Sequence, residues 1–156
     1  MSERLKERLK QLKFISSMFS MAMDEFNNVM GPETIQTIFR LIGERQGEAV
    51  EKRLREKHNI EKWTLELLAE KLSKDVIDAA VGTDASEIII KNDEILVIIK
   101  DCPFKRAGIK IANKFYCTYT EGLIETIAKK ALGIESFESF ELRAVAKCDC
   151  KFLLKL

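Results

Sequence analysis

Cys117-Thr-Tyr-Thr-Glu-Gly122 opens the stretch that decides the fold, and Cys148-Asp-Cys150-Lys-Phe152 stands near its end. Between them, the run from about Glu121 to Leu132 predicts a helix. Cys117 precedes it, Thr118 or Thr120 is its candidate N-cap, and Gly133 is its stop. Phe137 to Val145 and Cys148 to Leu156 are strand-like and predict a hairpin. Side chains two apart on a strand share a face, so Cys148 and Cys150 project with Phe152 and Leu154. If that face packs on the start of the helix, three sulfurs converge there, and the rest of the chain is scaffold.

Working back from that stretch, Glu87 to Lys91 and Glu94 to Asp101 are Ile-, Val- and Leu-rich runs around Asn92-Asp93, the pattern of a hairpin. Cys102-Pro103-Phe104 closes the second strand, because Pro103 cannot continue the ladder. Residues 104 to 115 form a basic, loosely helical connection. Further upstream the period becomes helical. Ser2 to Met30, Glu33 to about Lys57 and Thr64 to Ala80 predict three helices, the second opened by Pro32 and the third capped by Thr64. The expected fold class is α+β: N-terminal helices packed with an antiparallel β-sheet, then a C-terminal helix and β-hairpin.

Three details of the helices bear on function. Phe14 to Met23 is apolar on nearly all sides, which predicts burial in the domain, in a dimer or around a ligand. Residues 1–31 therefore read as a helical extension making a dimer contact, and 32–156 as the domain proper. Gly43 and Gly47 lie four apart inside the second helix and predict a close approach by another helix or a ligand. The Glu51-Lys-Arg-Leu-Arg-Glu-Lys57 run reads as a solvated face, His58 as a solvated loop residue, and Trp63 as a staple for the next helix.

Charge and composition narrow the function. The chain has 156 residues with 26 Lys and Arg against 25 Asp and Glu. That balance lacks the concentrated positive field that nucleic acid or an anionic membrane surface requires. Lys and Glu interrupt the first fourteen residues, so no signal peptide is expected, and no apolar run suggests a membrane span. The expectation is a cytoplasmic protein with reduced thiols. A single histidine removes most catalytic triads, and no phosphate loop or dinucleotide fingerprint is present. The residues show no nucleophile–base pair and no redox-cofactor motif.

The one chemical constellation is Cys102, Cys117, Cys148 and Cys150. No Cys-x-x-Cys knuckle is present, so spacing alone favours buried thiols over zinc.

Cys117-x-Tyr119-x-x-Gly122, the helix ending at Gly133, the acidic strand, Ala144-x-Ala146 and Cys150-x-Phe152 together resemble the 4-vinyl reductase domain family. Cys102-Pro103-Phe104, and Arg40-Leu41-x-Gly43 followed by Gly47, are similar to its archaeal members. The likeness covers roughly residues 33 to 156. It implies an α+β domain related in fold to vesicle-tethering subunits, homodimers, and a cavity for a hydrophobic small molecule. Relatives include sensor domains of aromatic-responsive transcription activators and a protein of bacteriochlorophyll synthesis. In the sensors zinc is held by a Cys before the helix, a Glu-x-x-Cys on the first strand and a Cys eight residues further on. Cys117 and Cys150 match the outer positions, whereas Ser139 and Leu142 stand where the middle pair would be.

The resemblance thus implies a structural zinc held by Cys102, Cys117, Cys148 and Cys150, with Glu138 as a substitute for Cys102. Phe39, Trp63, Phe104 and Tyr119 are the candidate ligand-lining residues. The alternatives are a reductase or a component of tetrapyrrole or cofactor biosynthesis, or a ligand-free dimeric interaction subunit.

Overall fold

Ser2 caps the first helix, its hydroxyl accepting the backbone N–H of Leu5. Helix α1 then runs Glu3–Met30 in a computed structural model that describes residues 2–100, 102–106, 115–146 and 149–156. Gly31, at φ 80°, turns the chain so that Pro32 begins α2, Pro32–His58. Asn59 ends α2 in the left-handed conformation. Thr64 caps α3, Leu65–Lys71, accepting the N–H of Leu67 at 3.2 Å.

The helix expected from Thr64 to Ala80 is not uniform. After α3 it widens into a π-helical segment, Leu72–Asp78, before a last α turn, α4, Ala79–Val81. Asp78 anchors the end of the wide segment: its Oδ1 accepts the backbone N–H of Ser86 at 3.0 Å and the Ser86 hydroxyl at 2.7 Å. No glycine or proline marks this segment, so its sequence reads as ordinary helix.

Strands β1, Ser86–Lys91, and β2, Glu94–Ile99, pair antiparallel with Lys91 opposite Glu94. Asn92 takes φ 52° in the two-residue turn between them, a conformation Asn tolerates better than most side chains. A short helix α5, Pro103–Arg106, follows, and then α6, Phe115–Leu132, ended by Gly133 at φ 67°. Strands β3, Ser139–Ala146, and β4, Asp149–Lys155, form the second hairpin. The sheet order is β1-β2-β4-β3, antiparallel throughout, so the hairpins join through β2 and β4 with Ile99 opposite Cys150. This is the expected α+β class with an antiparallel sheet.

The core lies on one face of the sheet. Val97, Ile95, Phe152 and Leu154 pack with Ile124 and Ile127 of α6 and with Leu68 and Leu72. Along α6 lies α2, with Gly43 against the backbone of Tyr119 and Leu123, and Gly122 against the backbone of Arg40 and Glu44. The close approach predicted at Gly43 and Gly47 is therefore helix on helix.

Helix α6 starts earlier than expected. Cys117 lies in its first turn, and Thr118 and Thr120 cap nothing. The Thr118 hydroxyl donates to the carbonyls of Phe115 and Gln36, at 2.6 and 3.1 Å, and that of Thr120 to the carbonyl of Tyr116 at 3.1 Å. Phe115 and Tyr116 are buried among Phe39, Phe104 and Phe19, and this aromatic packing outweighs the weak helix propensity of the segment.

Helix α1 also departs from one expectation. Met23 is its buried residue, whereas Phe14 is 71% exposed and Met21 60%. The domain covers Met23 but not Phe14, Ile15, Met18, Phe19 or Met21. No described helix is long and apolar enough to cross a membrane.

Candidate functional site

Between α2, the π segment, α6 and the ends of β2 and β4 lies a cavity of about 380 Å³. Its volume falls toward the small end of the ~300–1,000 Å³ usual for ligand pockets. Helix α2 contributes Gln46, Val50 and Arg53, which share a helix face at i, i+4 and i+7. From the π segment come Asp75, Val76 and Ile77. π-Helical turns are uncommon and frequent at functional sites, since they cost regular hydrogen bonding and re-aim side chains.

The far wall is aromatic and sulfur-rich. Phe104 stacks on Tyr116 with ring centroids 4.3 Å apart, and Phe39 meets Tyr116 edge-on at 5.3 Å from behind the wall. Burial, then the charge of Asp24, pushes the Tyr116 phenol's pKa up, so it lines the cavity as a neutral group. Cys102, Cys117 and Cys150 all line the cavity and all are buried. A hydrogen bond shared with Cys117, then burial, then neighbouring Cys102 raise the pKa of the Cys150 thiol well above the usual thiol range. At neutral pH, in the absence of a cation, Cys150 is a neutral thiol.

Asp75 is already engaged. Lys57 Nζ donates to it at 2.7 Å, His58 Nε2 lies 3.0 Å away, and Lys71 sits at 4.0 Å. The Lys57 bond chiefly, with His58 opposing the effect of burial, holds its carboxyl below the ordinary value. His58 is thus a partner of Asp75 rather than a solvated loop residue. The run from Glu51 to Lys57 is not one solvated face either. Glu51 is buried and accepts from Trp63 Nε1 at 2.7 Å and from Arg55, while Arg53 reaches the cavity. Helix α2 has α6 on one side and the Trp63-to-Asp75 region on another, so charged residues on those sides acquire partners.

The sequence-derived candidates divide accordingly. Phe104 and Tyr119 line the cavity. Phe39 sits outside it in a second apolar cluster with Met23, Ile35 and Phe115, and Trp63 is in the main core. Cys102, Cys117 and Cys150 come together, whereas Cys148 lies outside the described residues. Glu138 does not join them. It pairs with Lys155 at 3.4 Å, at the opposite end of β4 from Cys150, five residues or about 17 Å along the strand. A β-strand is too stiff to bring that carboxylate back to the thiols, so Glu138 does not stand in for Cys102.

Sequence reasoning missed Gln46, Arg53 and Tyr116. The helical spacing of Gln46, Val50 and Arg53 carried a signal, but only α6 and the π segment reveal what that face meets. Thiolate-rich sets suit zinc, and three thiols from three elements supply the right donor chemistry. Among the described residues, no group of three or more His, Cys, Asp or Glu side chains is disposed as a metal site. No family model matches the chain, and no curated protein matches it.

Proposed function

We propose that this chain is a binding module of 4-vinyl-reductase type that takes an apolar small molecule into the cavity between α2, the π segment and α6. The observation that carries this reading is the cavity itself, with Phe104, Tyr116, Tyr119, Val76, Ile77 and Leu123 on its walls and few polar groups. Apolar lining with sparse orienting groups is what small hydrophobic ligands select. The π segment supports it, because a uniform α-helix would present a different set of side chains.

Cys102, Cys117 and Cys150, completed by Cys148, hold one zinc ion at the sulfur-rich wall. Bound there, zinc would neutralise the thiolates and tie the start of α6 to β4 and to the residue before α5. Four thiolates would leave no open coordination position, so its role is structural. A second copy of the chain covers the exposed face of α1, making the module a homodimer.

Native mass spectrometry of protein purified without added ligand tests the module. Added organic mass in the small-molecule range is expected. A flavin or porphyrin would instead indicate a reductase or cofactor-biosynthesis component. Absence of any adduct, together with no melting shift across a panel of phenolic, isoprenoid and fatty compounds, would leave an interaction subunit.

A further inference from the structure

The charged groups that reach the cavity carry one uncompensated positive charge. Arg53 lies on the lining, its side chain is exposed at the rim, and among the described residues it has no acidic partner. Glu56, one turn further along α2, is 4.0 Å from Lys52 instead. The lining carboxylate, Asp75, is already held by Lys57 and His58. The two charged side chains on the lining are thus Arg53 and Asp75, and the charge of Asp75 is met by Lys57 at 2.7 Å from outside the lining, which leaves Arg53 unmatched among the described residues. The rim therefore offers an unmatched cation beside an apolar interior, and Gln46, on the same face of α2 as Arg53, adds an amide able to donate.

We infer that the occupant is an amphipathic carboxylic acid whose apolar body fills the cavity and whose carboxylate pairs with Arg53 at the rim. This rests on the binding-module reading above and specifies its ligand class. A guanidinium presents parallel N–H donors that match the two oxygens of a carboxylate, and it stays charged at every working pH. A neutral ligand would make no use of that cation. A cationic one would face Arg53 and would have to displace Lys57 and His58 from Asp75.

The test is calorimetric titration of the full chain with head-group pairs: decanoate against 1-decanol and decylamine, and 3-phenylpropionate against 3-phenylpropanol. Each probe is kept below its micellar concentration. Decanoate or 3-phenylpropionate is expected to bind about tenfold more tightly than its alcohol, the worth of a charge-assisted contact partly removed from water. Arg53→Gln is expected to bring the acid down to the affinity of the alcohol, and Arg53→Lys to retain part of the preference. Because the Arg53 side chain is exposed, both variants should melt near the parent without ligand. Alcohol binding as well as acid, an acid preference that survives Arg53→Gln, or decylamine binding best would each overturn the inference while leaving the cavity a binding site. If none of the probes binds, the binding-module reading fails, and this inference fails with it.

Discussion

A Cβ built on Gly43 would collide with the carbonyl oxygen of Tyr119, and one on Gly122 with the carbonyl oxygen of Arg40. In both cases the obstacle is backbone of the facing helix, which cannot rotate away as a side chain could. Gly43→Ala and Gly122→Ala should each destabilise by about 1–3 kcal/mol despite better helix propensity, as overpacking does. Urea denaturation checks this, and a variant as stable as the parent would refute the tight crossing.

One turn before Gly43 on α2, Arg40 binds buried Glu125 across the same interface; Glu125 also binds Lys129 at 2.7 Å, and Arg40 reaches Glu44 at 3.1 Å. Burial alone would raise the Glu125 pKa, but the bonds from Lys129 and Arg40 outweigh it and hold it below the ordinary carboxylate value. The sign follows: the group stabilises fully above its unfolded pKa of about 4.3 and loses that contribution as pH falls through its lower folded pKa. Glu125→Gln should cost about 1–2 kcal/mol at pH 7, since Arg40 keeps other acidic partners. The gap in melting temperature from the parent should close as pH drops below about 4. A gap constant with pH would mean the carboxylate charge is not what matters.

At the scale of elements, the thiols join three pieces of chain that no local interaction brings together. Cys102 precedes α5, Cys117 sits in the first turn of α6, and Cys150 lies on β4 opposite Ile99, near the end of β2. That meeting was legible only as a condition, because residue alternation places Cys150 on the face of Phe152 and Leu154 without saying what covers it. With zinc bound, elemental analysis of untagged protein should find about one ion per chain. Cys117→Ser or Cys150→Ser should lose the metal and lower the melting temperature together. If the parent holds no metal and both variants melt as it does, the cluster is a set of buried thiols. The π segment shows the opposite case, since Leu72–Asp78 carries a helical sequence, and its last residue, Asp78, is hydrogen-bonded to Ser86 on β1.

For the molecule as a whole, α1 is the unresolved demand. Its buried residue is Met23, while Leu12, Phe14, Ile15, Met18, Met21 and Val29 are all more than half exposed. Leu41 and Ile42 on neighbouring α2 are also exposed. Monomers seldom leave so much apolar surface in water, and a stable dimer needs about 800 Å² per partner, which a helix of this length can supply. The intact chain should sediment as a dimer at micromolar concentration. Removing residues 1–30 should weaken or abolish the dimer and expose Ile35 and Phe39, which pack with Met23. An intact chain that sediments as a monomer would remove the dimer.

What the sequence determined by itself is the inventory of elements: a long helix from Ser2 to Met30, a helix opened by Pro32, a helix capped by Thr64, hairpins around Asn92-Asp93 and before Cys150, and hence the α+β class. These signals are local. A cap, a turn residue or a two-residue alternation acts within a few positions and is written in those positions. Only the tertiary structure decided that β2 meets β4, that α6 begins on aromatic residues, that a helix widens at Leu72 and that Arg53 overlooks a cavity. Each joins residues far apart in the chain. There packing and desolvation can exceed the roughly 0.5–1 kcal/mol by which local propensities differ, so no reading of neighbouring residues could have settled them.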